Sequence, residues 1–170
     1  MKLENFNNLI ELFFYQAEKQ DPKSILLQWL NPNNKKSFTW EETKLNIFKL
    51  SKTIKENVKE GDRCLLVSEN RPEWFISDLA IMLSGAITVP AYITYTQDDY
   101  KYLIEDCEPT VVIVSNNEML KKLNIAINEK NFIKKVITFE EVEKACNNLN
   151  IDNKEKYLDF NSIINNDLSE

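Results

Sequence analysis

The chain contains no histidine, the side chain that most often acts as a base. Its candidates for nucleophilic or acid–base chemistry are three cysteines and several carboxylates. Cys64, Cys107 and Cys146 stand singly, without a Cys-x-x-Cys pair. The absence of histidine excludes a Ser-His or Cys-His dyad and a histidine-bound metal. We therefore predict reduced thiols that pack as small apolar residues, as is typical of a cytoplasmic protein.

Adjacent carboxylates occur at Glu41-Glu42, Asp98-Asp99 and Glu140-Glu141. Each pair lies in the first turn of a predicted helix, where the positive end of the helix dipole favours acidic side chains. We assign none of them to catalysis. The chain has only two glycines, Gly61 and Gly85, so neither a G-x-G-x-x-G loop nor a Walker-type loop is present to hold phosphates.

Composition excludes several further classes of function. A chain of 170 residues is long enough for one domain with its own core. Its formal charge of -6 argues against binding to nucleic acid, which requires clustered cations. No segment approaches the roughly 20 apolar residues of a transmembrane helix. The start, MKLENFNN, also lacks the basic and apolar regions of a signal peptide, so neither membrane insertion nor secretion is predicted.

Helical and strand patterns alternate along the chain. A capping box formed by Thr39 and Glu42 predicts a helix that starts at Trp40, and Gly61 is predicted to end it. The other predicted helices are Leu9 to Ala17, a segment from Pro72 to Gly85, Thr96 to about Asp106, and Met119 to Ile127. Predicted strands are Ser24 to Trp29, Arg63 to Val67, Ile87 to Val89, Thr110 to Val114 and Lys135 to Phe139. Beyond these, only two polar helical fragments are indicated, Glu140 to Asn147 and Phe160 to Ile164.

This alternation predicts an α/β fold, a layered parallel sheet with helices on both faces and right-handed crossovers. Several of the strands are continuously apolar, which is typical of strands buried on both faces. Ligands of such sheets bind outside the carboxyl ends of the strands. Those ends are Ser68 to Arg71, Ala91 to Thr96 and Ser115 to Asn117.

Two long segments, GDRCLLVSENRPEW and DLAIMLSGAITVPAYITYTQDDYKYLIEDCEPTVVIVS, carry a family resemblance. They resemble the amino-terminal part of AMP-forming acyl-CoA synthetases, in the adenylate-forming superfamily, and most of all its long-chain fatty acid branch. The resemblance depends on five short motifs in family order: Thr39 to Glu42, Gly61-Asp62, Asn70 to Trp74, Gly85-Ala86 and Val89-Pro90.

The resemblance implies an activity for the complete enzyme. Such enzymes use ATP and Mg2+ to convert a fatty acid into acyl-AMP and pyrophosphate, and then transfer the acyl group to CoA. Their phosphate loop, their acidic residues for Mg2+ and ribose, and their catalytic lysine match nothing in this sequence. We therefore expect residues 1–170 to contain no catalytic, metal-binding or cofactor-binding residue and to be inactive alone.

The resemblance also implies a place for this chain in the enzyme. Residues 1–139 are expected to form the first, incomplete α/β part of the large amino-terminal domain, and residues 140–170 a polar, partly helical linker towards the missing phosphate loop. Tyr92, Thr94 and Tyr95 are expected to border a substrate or CoA channel. A cytoplasmic location is expected, while peripheral contact with a membrane and a homodimer of the parent enzyme are left open.

Two other interpretations remain at this point. In the first alternative interpretation, the chain is a stand-alone, non-catalytic α/β module that binds or interacts with a partner. Strand-helix alternation alone is also typical of flavodoxin-like or receiver-like domains, since a fold does not fix a function.

Overall fold

The computed structural model describes residues 6–31, 34–141, 149, 151 and 153–166. Its first part is helical and antiparallel. Helix α1 (Leu9–Ala17) precedes a two-stranded antiparallel hairpin of β1 (Ile25–Asn31) and β2 (Asn34–Thr39), which leads into helix α2 (Trp40–Lys55). Strand β2 was not predicted, because its sequence NKKSFT is too polar to indicate a buried strand.

Within the described residues, five parallel strands form the main sheet in the order β4-β3-β5-β6-β7. They are β3 (Arg63–Val67), β4 (Ile87–Ala91), β5 (Val111–Val114), β6 (Lys135–Thr138) and β7 (Tyr157–Asp159). Helices α3 (Pro72–Leu83), α4 (Gln97–Cys107) and α5 (Asn117–Glu129) connect the first four strands, and α6 (Phe160–Asn165) follows β7. The predicted α/β fold class is confirmed.

Helices cover both faces of this sheet. On one face, Cys64 and Leu66 of β3 pack with side chains of α2, α3 and α6. On the other face, Leu65 and Val67 pack with α4 and α5. Because β3 and β5 lie inside the sheet and are covered on both faces, their sequences RCLLV and VVIV have no polar alternation.

The predicted helix starts at Trp40 and after Thr96 are confirmed by two capping boxes. The Thr39 hydroxyl accepts a hydrogen bond from the backbone N–H of Glu42 at 3.2 Å, and the Glu42 carboxylate accepts one from the backbone N–H of Thr39 at 2.8 Å. Thr96 and Asp99 make the same exchange at 3.3 and 2.9 Å. These two carboxylates therefore have structural roles.

The two glycines differ in outcome. Gly85 has a φ of +86° and follows the last residues of α3, so its predicted role is confirmed. The prediction that Gly61 ends α2 is wrong, because the helix already ends at Lys55. Asn57 donates its side-chain amide to the carbonyl of Thr53 at 3.0 Å, which satisfies one helix-end carbonyl before Gly61 is reached. Gly61, with a φ of +81°, lies in the turn before β3.

The described residues include only part of the elements predicted for the last part of the chain. The helical fragment Glu140 to Asn147 and Cys146 fall almost entirely outside the described residues. The second fragment, Phe160 to Ile164, is confirmed as part of α6, while β7 was not predicted. The division of the chain at residues 139 and 140 stays a prediction. No helix in the described part is long and apolar enough to cross a membrane.

Candidate functional site

The predicted ligand-binding edge of the sheet is formed by the segments after β3, β4 and β5. All three strands are parallel, so Ser68 to Arg71, Ala91 to Thr96 and Ser115 to Asn117 meet at one edge. The chain order also reverses here, since β4 lies on one side of β3 and β5 on the other. In open parallel sheets such a reversal leaves a crevice at the carboxyl ends of the strands, where ligands bind.

A buried ion cluster occupies this edge. Arg71 donates from Nε and Nη2 to the two carboxylate oxygens of Glu73, at 2.9 and 3.1 Å. Lys36 of the hairpin donates from Nζ to the same carboxylate at 2.7 Å. The Glu73 side chain is 0% exposed and that of Arg71 only 7%. One fully buried carboxylate thus holds two cations from different parts of the chain.

Aromatic rings complete the surroundings of Arg71. Its guanidinium lies 4.5 Å from the ring centre of Trp29 in β1 and 5.3 Å from that of Phe139, which follows β6. Its Nη1 also lies 3.5 Å from the carbonyl oxygen of Ser115, at the end of β5. Arg71 therefore connects the hairpin to the ends of the central strands, through cation–π and polar contacts.

The protonation state of Glu73 follows from these partners. Burial by itself raises the pKa of Glu73, but the hydrogen bonds and charges of Arg71 and Lys36 outweigh burial and hold this pKa below its ordinary value of 4.5. Glu73 is therefore a carboxylate at neutral pH. It is an ion-pair partner and has no property of a general acid.

We expect an acid-dependent loss of stability from this group. Its pKa is lower in the folded than in the unfolded chain, so its contribution is fully present above the unfolded pKa and is lost as pH falls through the folded pKa. Carbon-13 NMR of labelled glutamate carboxyls should show Glu73 titrating below its ordinary value. A midpoint at or above that value would contradict the ion cluster.

A polar cavity of about 320 Å³ lies beside the cluster. Its walls carry both signs of charge and include Trp29, Lys36, Arg71, Asn117, Phe139, Glu140, Glu141 and Asn161. Among the described residues, the side-chain oxygen of Asn117 is buried and has no hydrogen-bond partner. The mixed charges of the walls do not favour one class of charged ligand over another.

A second cavity, of about 280 Å³, lies at the ends of β3 and β4. It is lined by Ser68, Asn70, Trp74, Pro90, Ala91 and Tyr92. We call it the Trp74 cavity. It lies between the segment after β3, the first turn of α3 and the end of β4, and two of its six lining residues, Asn70 and Trp74, belong to the family motif.

The three residues predicted to border a channel lie together in the loop after β4. Tyr92 is 73% exposed and lines the Trp74 cavity, and Thr94 is also exposed. Tyr95 is half-buried and makes edge contacts with Tyr92 at 5.6 Å and with Tyr100 at 5.8 Å between ring centres. The structure thus brings Tyr92 to a cavity, while Tyr95 packs towards the core of the α4 and α5 face.

Two side chains fix the path of this loop. The hydroxyl of Tyr100, a fully buried residue of α4, donates to the carbonyl of Tyr92 at 2.7 Å. Lys122 of α5 donates to the carbonyl of Ile93 at 3.0 Å. Because consecutive carbonyls are held from two helices, the exposed side chains of the loop start from a defined backbone.

The described cysteines are unsuited to nucleophilic chemistry. Burial raises the pKa of the Cys64 thiol to about 12, and burial also raises the pKa of Cys107. The prediction that these two pack as small apolar residues is consistent with their environment.

The ion cluster was missed by sequence reasoning. The sequence placed Arg71 at a predicted ligand-binding strand end and in a family motif, and placed Glu73 only in that motif, while Lys36 had no predicted role. One signal was available, because Arg71 is one of only two arginines in a lysine-rich chain. Arginine is the residue that pairs with a carboxylate through two parallel hydrogen bonds.

This arrangement of sheet, hairpin and helices is the fold of adenylate-forming enzymes. A mutant form of coronafacic acid ligase from Pectobacterium brasiliense superposes with a TM-score of 0.77 at 20% identity, over 96% of this chain and 30% of that one. The anthranilate CoA ligase AuaEII, solved with anthranoyl-AMP, gives a TM-score of 0.73 at 19% identity, over 96% of this chain and 28% of that one. At these identities the likeness shows the fold alone.

Sequence comparison shows the family. The model of the family described as AMP-binding enzyme matches residues 13–165, and the chain belongs to that family. Long-chain-fatty-acid–CoA ligase FadD15 of Mycobacterium tuberculosis is 30% identical over 104 residues, which are 61% of this chain and 17% of that protein. Long chain acyl-CoA synthetase 3 of Arabidopsis thaliana is 29% identical over 105 residues, 61% of this chain and 16% of that protein. The match thus spans about a sixth of each of these relatives.

Proposed function

We propose that this chain is the amino-terminal part of a long-chain fatty acid–CoA ligase. The complete enzyme converts a fatty acid and ATP into acyl-AMP and pyrophosphate, and then forms acyl-CoA and AMP. The observation that carries the proposal is the family match over residues 13–165, together with relatives that are themselves named long-chain ligases. The proposal gives this chain a structural part in the reaction, without the catalytic groups.

The loop of Tyr92, Thr94 and Tyr95 is the part of this chain proposed to meet a ligand of the enzyme, as the border of a substrate or CoA channel. Two observations support this role: the loop follows β4 at the ligand-binding edge of the sheet, and its backbone is fixed by Tyr100 and Lys122 while Tyr92 and Thr94 stay exposed. A loop with a fixed backbone can contact a ligand without first being ordered.

The residues that the structure describes do not fit the binding of Mg2+ or of the ATP phosphates. Within the described residues no group of three or more acidic, cysteine or histidine side chains could hold a metal ion. The sequence offers two isolated glycines, Gly61 and Gly85, where a phosphate loop needs several together. We therefore assign no residue here to ATP or Mg2+, and the proposal places both on other parts of the ligase.

We predict that the purified chain of 170 residues forms no acyl-CoA from palmitate, ATP, Mg2+ and CoA, because the proposal places the groups that stabilise the charges of the transferred adenylate on other parts of the ligase. Chromatographic detection of the palmitoyl thioester is the measurement. Sustained turnover would contradict the proposal that the catalytic groups lie elsewhere.

The positive control is the polypeptide encoded by the reading frame continued beyond residue 170, assayed in the same way. The proposal expects a Ser/Thr/Gly-rich loop with a lysine in that continuation, and palmitoyl-CoA as a product. Activity only with short or aromatic acids would overturn the long-chain assignment and leave the ligase class in place. A stop after residue 170 in the natural gene would favour a stand-alone binding module.

A further inference from the structure

Helix α2 carries large apolar side chains on its outer surface as well as on its buried face. Ile47, Leu50 and Ile54 are fully buried and pack in the core. Leu45 and Phe48, by contrast, are 41% and 45% exposed. A helix at the surface of a soluble domain normally has polar residues on its outer face. The outer face of α2 therefore has an apolar area that the described fold does not bury.

These exposed side chains border a groove between α2 and the end of α3. Leu45, Phe48 and Lys52 recur at intervals of three and four residues, so they lie along one face of α2. The groove has a volume of about 730 Å³. Its described lining residues are Phe48, Ser51, Lys52, Lys55, Glu56 and Leu83. We call it the Phe48 groove.

Contacts inside the domain hold both walls of the groove. The ring of Phe48 stacks on that of Phe14 in α1, with 4.9 Å between ring centres and 25° between ring planes. Lys55 donates from Nζ to the carbonyl of Ser84, which follows α3, at 3.0 Å, and so connects the two helices. Because the walls are already fixed, a partner that enters the groove does not have to order them first.

The groove lies in a basic part of an acidic chain. Residues 44–59 contain five lysines and one glutamate, whereas the whole chain has a formal charge of -6. Lys52 and Lys55 line the groove itself, and Glu56 is the one acidic residue among its described lining residues. An apolar surface bordered by cations is complementary to a partner that is both apolar and acidic.

We propose that the Phe48 groove binds an acidic amphipathic helix of another protein. The apolar side chains of that helix would pack against Phe48 and Leu83, and its carboxylates would face Lys52 and Lys55. Helices that bind in grooves use apolar anchors spaced three and four residues apart. The inference goes beyond the proposed function and does not depend on it.

The position of the groove indicates a partner other than the remaining parts of the ligase. Helix α3 starts after the carboxyl end of β3 and ends before the amino end of β4, so Leu83 lies at the amino edge of the sheet. Ligands of such sheets bind at the opposite, carboxyl edge. Parts of the ligase that complete the proposed active site have to meet that carboxyl edge, which leaves the Phe48 groove on the far side.

The geometry of the groove also favours a helix over an anionic membrane surface. A side chain that anchors a protein to a bilayer has to enter the boundary between headgroups and acyl chains. The ring of Phe48 instead lies against Phe14, and it would lose this contact on entering lipid. The carboxylate of Glu56 would also be repelled by anionic headgroups.

The test is an NMR titration of the nitrogen-15-labelled chain with a synthetic amphipathic helix of about five turns. The acidic peptide has leucine at every third or fourth position and glutamate at the others, and the matched peptide has lysine in place of every glutamate. We expect saturable shifts of the backbone signals of α2 and Leu83 with the acidic peptide alone. Added salt should weaken this binding, because the charge pairs would lie at the surface.

Variants show whether the shifts come from the groove. Phe48→Ala should weaken binding of the acidic peptide at least tenfold, the loss typical of an aromatic anchor, and Lys52→Glu about tenfold. The matched controls are Ile125→Ala and Lys121→Glu, which change an exposed apolar and an exposed basic residue of α5, on the other face of the sheet. Both controls should bind as the wild type does. Dispersed spectra show that each variant is folded.

The polypeptide encoded by the reading frame continued beyond residue 170 should bind the acidic peptide with the same affinity. Loss of binding there would assign the groove to a segment of the ligase itself and overturn the proposal. No saturable shift with the acidic peptide, equal shifts with both peptides, or an unchanged affinity of Phe48→Ala would also overturn it. So would sedimentation with phosphatidylglycerol vesicles that Phe48→Ala abolishes, since that result assigns the groove to a membrane. Because these readouts need no turnover, their failure is distinguishable from failure of the ligase assay.

Discussion

Replacing Glu73 by alanine is expected to remove about 3–5 kcal/mol from the free energy of unfolding, the usual cost of leaving a buried charge without its partner. The reason is that Arg71, only 7% exposed, and Lys36 would keep their charges while losing the carboxylate between them. The carboxylate that would remain near Arg71 is that of Glu69, which is farther away, at 3.5 Å, and is 32% exposed. Domains of this size are stable by only about 5–15 kcal/mol, so the loss should be a large fraction of the stability of the fold. Urea unfolding followed by circular dichroism measures the change.

The control is Glu105→Ala, which removes a carboxylate from an exposed pair with Lys130 at 2.8 Å. This pair is screened by water, so we expect little change in the urea midpoint. If the Glu73→Ala chain does not fold at all, a triple variant with methionine at positions 36, 71 and 73 should recover the fold, since apolar replacements of a buried ion cluster are often neutral or stabilising. A Glu73→Ala chain as stable as the wild type would show that the cluster is not formed.

Replacing Phe160 by alanine is expected to lower the free energy of unfolding by about 3–5 kcal/mol. Phe160 is 0% exposed, and its ring meets that of Phe139 edge-on at 5.7 Å between centres. It belongs to the same core cluster as side chains of α2 and α3. Removing the ring would leave a cavity beneath α6, and the loss should appear in the unfolding of the whole domain.

Asn161→Ala is the matched change for this experiment, because Asn161 is the next residue of α6 and is exposed. We expect an effect within about 0.5 kcal/mol. A Phe160→Ala variant that unfolds as the wild type does would mean that the segment from Lys154 to Asn165 does not pack on the sheet. In that case, residues after β6 would contribute nothing to the stability of the fold.

Local patterns in the sequence were sufficient to predict most of the parallel sheet. RCLLV and VVIV are apolar without alternation because β3 and β5 are buried on both faces. Thr39 and Thr96 start helices because their capping partners lie three residues further along the chain. Each of these patterns has a physical cause within a few residues, so each is visible without the fold.

The hairpin and the ion cluster had no such local cause. Strand β2 is polar and gains its pairing from β1, and Lys36 gains its partner, Glu73, from a helix 37 residues away. Strand β7 is three residues long and becomes a strand only by pairing with β6. A contact between segments far apart in sequence leaves no periodic pattern in either, so the polar side of the candidate site could not be predicted.

The order of strands also has a consequence for how this chain acquires its structure. Strand β3 is paired on both sides, with β4 and with β5, and the pairing of Cys64 with Val111 joins residues 47 positions apart. Sheets built from such distant pairings fold slowly, because a long loop must close before any stabilising contact is made. During synthesis, β3 and β4 can pair early, but the other edge of β3 stays unpaired until β5 has been made. In that interval an apolar edge is open to other chains, so this domain should depend more on chaperones than a helical bundle of equal length.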